Sequence, residues 1–193
     1  NAIKTGDVNE APRLEAMLSH TIQSNKEREM AYVRQATHDA LTGCKNRRAF
    51  DSDIAELLNA QQPFAMALVD IDNFKSINDT LGHLTGDIVL RNVAREGIQI
   101  MQPHHVSVYR YGGEEFAIIF QAEQMSSALS LLEAWRTAVE KRVWREENLR
   151  VTFSGGLGEW HFEPLEQFVG SVDNALYSAK QQGKNRINRT SIS

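Results

Sequence analysis

Apolar positions fall into two textures along the chain, divided near residue 37. Pro12 opens a stretch, residues 13–36, that is polar, rich in helix formers and free of Gly and Pro. Within it Leu14, Leu18 and Ile22 recur every fourth residue, the spacing of one helical face, but Asn25 and Glu29 then fall on the same seam. The pattern predicts a helix without the sustained heptads of an autonomous coiled coil. Two readings stand for it: a solvated linker helix, or a signalling helix that carries a rotation or a dimer contact from an upstream domain.

From residue 38 onward the periods alternate between those of helix and strand. Asn46 is a suitable cap for a helix running to about residue 59. Residues 64–70, Phe-Ala-Met-Ala-Leu-Val-Asp, are almost wholly apolar, as a strand buried at the centre of a sheet should be. A helix is predicted over 86–101, with Leu90, Val93, Ala94 and Met101 on one side. Residues 106–111 and 116–120 read as strands joined through Gly112-Gly113, a hairpin signal. A helix over 126–145 places Leu132, Trp135, Val139 and Val143 three to four residues apart, and 150–158 reads as a strand. The amphipathic helix 165–182 (Leu165, Phe168, Val172, Leu176, Ala179) is stopped by Gly183, and a last short strand is predicted over 186–189. The order β-α-β-β-α-β is that of the ferredoxin-like, or palm, arrangement. The expected fold class is therefore α+β: an antiparallel sheet with helices packed on one face, preceded by a helical lead-in. The expected division is 1–37 for the lead-in and 38–193 for the folded domain.

Composition limits what such a fold does. The 193 residues are 41% hydrophobic and 24% charged, enough for a self-sufficient core and against wholesale disorder. The single cysteine, Cys44, has no partner within the chain, which suits a reducing compartment. A net charge of −4 provides no basic field for a nucleic acid polymer or an anionic membrane surface. The longest apolar run is strand-sized, far short of the roughly 20 residues of a membrane span, and no signal peptide is evident. The chain begins at Asn1 rather than Met and is read as part of a longer protein.

Chemistry concentrates at two acidic features. Asp70-Ile71-Asp72 ends the most apolar strand, where a carboxylate costs free energy unless it is paired or binds a cation. Glu114-Glu115 lies at the tip of the predicted hairpin. Sequence leaves open whether the two meet. If they do, carboxylates and a backbone carbonyl form a hard oxygen set suited to Mg²⁺ with phosphate; if not, they are solvated strand ends. Gly112-Gly113 would let a ligand approach the backbone, or would simply satisfy a tight turn. The amides after Asp72, from Asn73 to Lys75, could form an anion nest. Lys180 and Lys184 close the last helix, where cations also answer its dipole. Asn78 and Asp87 are of the type that reads a guanine edge, although Asp87 also looks like a helix cap.

Tyr111-Gly-Gly-Glu-Glu-Phe116 resembles the signature of the GGDEF family in its GGEEF form. With it stand Asp39-Ala-Leu-Thr-Gly-Cys-Lys-Asn-Arg-Arg-Ala-Phe50, Asp70-Ile-Asp-Asn-Phe-Lys-Ser-Ile-Asn-Asp79, Leu81-Gly-His-Leu-Thr-Gly-Asp87 and Ala179-Lys-Gln-Gln-Gly-Lys-Asn-Arg186. Together these cover about residues 38–189 in the family's order. The resemblance implies a diguanylate cyclase, which condenses two GTP into cyclic di-GMP with release of two pyrophosphates. It implies that Asp70, Glu114 and the carbonyl of Ile71 hold Mg²⁺ (or Mn²⁺), that Glu114 assists deprotonation of the ribose 3′-hydroxyl, and that Glu115 supports the metal site. It further implies guanine binding by Asn78 and Asp87, and phosphate binding by the amides of Asn73 and Phe74 with Lys180 and Lys184. One GTP per chain implies a homodimer as the working species. The upstream part is then expected to be sensory and the domain cytoplasmic, whether or not the whole protein is anchored to a membrane. A non-catalytic GTP- or cyclic di-GMP-binding regulator on the same fold is the alternative.

Three departures from the family pattern stand out. Its Arg-x-x-Asp product site is replaced by Pro103-His104-His105-Val106, so no product inhibition is expected there, and the two histidines read as loop residues. Lys184 replaces a customary Arg, which keeps the charge but loses the bidentate fork. Cys44 replaces a customary leucine, a change that a buried position tolerates.

Overall fold

The computed structural model describes residues 10–191, so the ends of the expected lead-in (before 10) and domain (after 191) lie outside the described residues. The chain divides into two compact units, Asn1–Thr37 and His38–Ser193. In the first, α1 (Glu10–Thr37) is the predicted helix, and its Leu14, Met17, Leu18 and Ile22 are exposed. Among the described residues no helix is long and apolar enough to cross a membrane.

The second unit is built on a five-stranded sheet among the described residues. α2 (Arg47–Asn59) begins where Asn46, in extended conformation, accepts the Ala49 N–H on its side-chain oxygen at 2.9 Å. β1 (Phe64–Ile71) follows, buried at every position. Then come α3 (Phe74–Leu81), α4 (His83–Met101), the hairpin β2 (Ser107–Gly112) and β3 (Glu115–Gln121), α5 (Ala128–Lys141), β4 (Phe153–Glu159), α6 (Leu165–Gln181) and β5 (Ile187–Arg189). The sheet order is β2-β3-β1-β4-β5, the ferredoxin-like order with one strand added.

Two expectations need correction. Helices cover both faces of the sheet, not one. Ala65, Ala67, Val69 and Ile71 of β1 share a core with Val89 and Val93 of α4 and Leu132 and Trp135 of α5. Phe64, Met66 and Leu68 pack instead with Phe50 and Ile54 of α2 and Phe168, Val172 and Leu176 of α6. A strand with one wet face would alternate; the unbroken apolar run of β1 is what cover on both faces requires. Nor is the sheet wholly antiparallel: β5 pairs parallel to β4, because the α6 crossover returns the chain in the same direction.

Local boundaries also differ. α3 is additional to the predicted elements; its eight residues bury only Ile77, too little for a periodic signal. α4 starts at His83 rather than Gly86, with Gly82 (φ 87°) in the cap position, so Asp87 lies inside the helix and caps nothing. The helix predicted over 126–145 is a 3₁₀ segment, Ala122–Ser127, followed by α5, which ends where Arg142 turns extended and leaves Val143 91% exposed. The strand predicted over 150–158 forms three residues later.

Cys44 is 1% exposed, and burial pushes its thiol up to about 12. The native protein is therefore expected to resist thiol-modifying reagents at pH 8, with labelling appearing only with unfolding in denaturant. Rapid labelling of the native chain would contradict this placement.

Candidate active site

The sheet register brings the two acidic features together. β1 runs antiparallel to β3 with Asp70 opposite Glu115, and the Ile71 N–H donates to the carbonyl of Glu114 at 3.3 Å. The β2–β3 turn places Glu114 level with Ile71, the last residue of the central strand. Neither Gly112 nor Gly113 is among the residues of positive φ, so mirror-image turn geometry does not require them. A Cβ on Gly113 would meet nothing within 4 Å, so the space over that backbone is open to an approaching ligand.

Asp70 and Asp72 have the same chemistry and opposite fates. Asp72 is 4% exposed and saturated: it accepts from Ser154 Oγ at 2.7 Å, Thr152 Oγ1 at 2.8 Å and the Asn185 N–H at 3.1 Å. It ties the end of β1 to β4 and to the loop after α6. Asp70 instead accepts from the Lys180 ammonium at 2.5 Å. Burial raises its carboxyl above the ordinary range, Lys180 opposes this, and the charges of Glu114 and Asp72 add to the rise. Glu115 is raised likewise by burial, then by Asp70, Asp173 and Glu114. Asp173, on α6, is thus a fifth acid near this edge, and nothing in its local sequence marks it.

The phosphate candidates converge on the turn after β1. Asn73 is left-handed (φ 56°) at the start of α3 and makes no side-chain cap; its Oδ1 accepts from Lys184 Nζ at 2.6 Å. Phe74 opens the helix, so its N–H lacks an intrahelical acceptor and lies at the positive end of the dipole. Lys180 and Lys184 therefore reach back to residues 110 and 111 positions earlier in the chain.

Asn78 and Asp87 lie on the two helices that meet at Gly82. A Cβ on Gly86 would stand 1.9 Å from Asn78 Oδ1 and 3.3 Å from the Phe74 ring, so the bare backbone of Gly86 is the seat of the Asn78 carboxamide. The carboxamide can rotate away at little cost to the fold, but not while keeping its aim. On the expectation that Asn78 binds guanine, Gly86→Ala should raise the KM for GTP about tenfold, the worth of one or two hydrogen bonds, with little change in Tm. An unchanged KM would count against that role for Asn78.

Arg110 is a residue that the motifs do not single out. Its Nε donates to the carbonyl of Gly113 at 3.1 Å and its Nη1 to both oxygens of Asp39 at 3.1 Å, bracing the acidic turn against residues 39–45. Burial acts to raise Asp39, but hydrogen bonds from Thr42 and the charge of Arg110 outweigh it and hold the carboxyl below its usual range.

Among the described residues no three His, Cys, Asp or Glu side chains form a ready metal cage. The donor types at the strand end, the Asp70 carboxylate with the Glu114 charge nearby, fit a hard divalent cation. The ammonium seated on Asp70 shows that this position takes positive charge.

A sequence model of the family described as "Diguanylate cyclase, GGDEF domain" matches residues 36–186. Diguanylate cyclase VdcA of Vibrio cholerae is 37% identical over 168 residues, covering 84% of this chain and 49% of that protein. Diguanylate cyclase DgcM of Escherichia coli is 36% identical, covering 91% and 43% respectively. The chain thus spans about half the length of these curated relatives. Among solved structures, the coiled coil and GGDEF domain of DgcB from Caulobacter crescentus, in complex with c-di-GMP, superposes with a TM-score of 0.77 at 34% identity, over 92% of this chain and 99% of that one. The active GGEEF domain of a diguanylate cyclase from Vibrio cholerae gives 0.69 at 32%, over 78% and 99%. With the family match spanning β1 to β4 and the signature hairpin in register beside Asp70, the chain belongs to the GGDEF family of diguanylate cyclases.

Proposed function

We propose that this chain condenses two GTP into cyclic di-GMP, releasing two pyrophosphates. The observation that carries the reading is the β1–β3 register, which sets Asp70 and the Glu114–Glu115 turn side by side with Lys180 at the same edge. Asp70, Glu114 and the carbonyl of Ile71 hold Mg²⁺ (or Mn²⁺), with Glu115 supporting them. The cation, when bound with GTP, neutralises phosphate charge and lowers the pKa of an attacking oxygen. Asn78 and Asp87 grip the guanine edge, and ATP is a poor substrate for that reason. The Asn73 and Phe74 amides, Lys180 and Lys184 hold the triphosphate, the two ammonium groups exchanging their present partners for phosphate oxygens.

Catalysis is then positioning and charge neutralisation. The 3′-oxygen of one GTP attacks the α-phosphorus of the other, Glu114 assists removal of the hydroxyl proton, and the bond to the β-phosphate breaks in line as pyrophosphate leaves. Repetition in the opposite sense closes the ring. Each chain supplies one half-site, so two chains face each other across a two-fold axis. The exposed Leu14, Leu18 and Ile22 of α1 support a helical pairing that governs how often the half-sites meet. An upstream sensory segment and a cytoplasmic setting complete the proposal, with no product inhibition through Pro103–Val106.

The test is incubation of the chain, alone and fused to a dimerising segment, with GTP and Mg²⁺, followed by chromatographic separation of products. Cyclic di-GMP and pyrophosphate from the dimerised chain are expected. GTP binding without pyrophosphate release would favour the non-catalytic regulator, and comparable turnover of ATP would sink the guanine assignment. Micromolar product inhibition mapped to residues 103–106 would overturn the statement on that segment.

A further inference from the structure

The turn that carries Lys184 is under conformational strain. Gly183, Lys184 and Asn185 follow α6 with φ of 112°, 63° and 48°, a left-handed run in which only the first residue is glycine. Such a run persists where surrounding contacts over-determine it. One constraint is Asp72, which accepts the Asn185 N–H. The Lys184 N–H also donates to the Ala179 carbonyl at 3.0 Å, and a constraint from outside α6 comes from α5, where Arg136 Nη1 donates to Asn185 Oδ1 at 2.8 Å.

Arg136 is itself built into a bracket. Its Nε meets Glu133 Oε2 at 2.8 Å, its Nη1 also meets Glu140 Oε2 at 2.8 Å, and its Nη2 reaches Thr137 Oγ1 at 3.4 Å. Its side chain is 17% exposed. Glutamates one turn before and after it fix the guanidinium plane. Its hydrogen bond outside its own helix, among the described residues, goes to Asn185, 49 positions away. An ordinary surface ion pair would need no such aim.

We infer that Arg136 is a positioning residue for the triphosphate, acting through Asn185 to hold the turn from which Lys184 reaches the phosphate site. The inference rests on the reading of Lys184 as a phosphate ligand. It also bears on the Lys at that position: a lysine has no fork to orient itself on a phosphate, so its aim depends on the backbone that Arg136 and Asp72 hold.

The test compares wild type, Arg136→Gln, Asn185→Ala, Lys184→Met and the Arg136→Gln/Lys184→Met double variant in the dimerised chain. GTP affinity is read by anisotropy of a fluorescent non-hydrolysable GTP, and KM and kcat by pyrophosphate release. Arg136→Gln and Asn185→Ala are each expected to weaken GTP binding and raise KM about fivefold with kcat within twofold, and Arg136→Gln to add nothing once Lys184 is gone. A purely structural role would lower Tm without this split. The inference falls if either single variant binds GTP as wild type does, or if Arg136→Gln weakens binding equally in the Lys184→Met background. Should Arg136→Gln fail to fold, Asn185→Ala, which keeps Arg136 between Glu133 and Glu140, decides alone. Absence of cyclic di-GMP from the wild type would refute the cyclase reading, while the anisotropy series still decides the role of Arg136.

Discussion

Glu114→Gln is expected to lower cyclic di-GMP formation at least about a thousandfold, a loss of about 4 kcal/mol of transition-state stabilisation, without destabilising the fold. Two effects produce this split. The substitution removes a carboxylate from the cation site and a proton acceptor from the 3′-hydroxyl, while its near-isosteric amide keeps the turn intact. It also relieves crowding, because Asp70 and Glu115, both raised first by burial, are raised further by the Glu114 charge. Tm in the absence of nucleotide should therefore hold or rise, and labelled GTP should still bind. A variant with a tenth of wild-type turnover, measured as pyrophosphate release from the dimerised chain, would exclude Glu114 from the chemistry.

Gly156→Ala is expected to cost about 3 kcal/mol or more, the upper end of overpacking penalties, out of a total stability of roughly 5–15 kcal/mol. A Cβ there would stand 2.2 Å from the Val172 carbonyl oxygen and 2.6 Å from the Leu176 amide nitrogen. Both are main-chain atoms of α6, so no rotamer change relieves the contact and the helix itself must lift from β4. Lifting it would uncover Phe168, Val172 and Leu176, which pack under it, and unseat Lys180 from Asp70. Activity and stability should fall together. Gly170→Ala is the internal control: its Cβ would meet nothing within 4 Å, and alanine in place of glycine inside a helix is worth about 1 kcal/mol in the stabilising direction. Urea unfolding of the two variants should move in opposite directions. A Gly156→Ala protein with wild-type stability would contradict the close approach of α6 to the sheet.

Elements with a long run of one period are legible in the amino-acid sequence alone. The cap at Asn46, the buried run of β1, the hairpin and the apolar stripe of α6 each depend on contacts within a few residues or on a single repeated face. Short or interrupted elements are not legible in this way. α3 has eight residues and little burial, and α5 stops before Val143 because the chain turns at Arg142, a choice set by the packing beyond it.

The same division runs through the site. Chain order and the spaced motifs determined by themselves the order of the longer helices and strands, the family and the set of acidic and basic candidates, because these are properties of residue type and spacing. Tertiary structure decided what each candidate does. Asp70 and Asp72 are indistinguishable as letters, yet one faces Lys180 and the other is consumed by Thr152, Ser154 and Asn185. Asp87 has the look of a cap, but α4 begins at His83, and Arg110, Arg136 and Asp173 carry no local mark. The physical reason is distance along the chain. Local periodicity is dictated by neighbours, whereas a carboxylate's partner is chosen by sheet register and helix crossover, which juxtapose residues more than a hundred positions apart once both faces of β1 are covered.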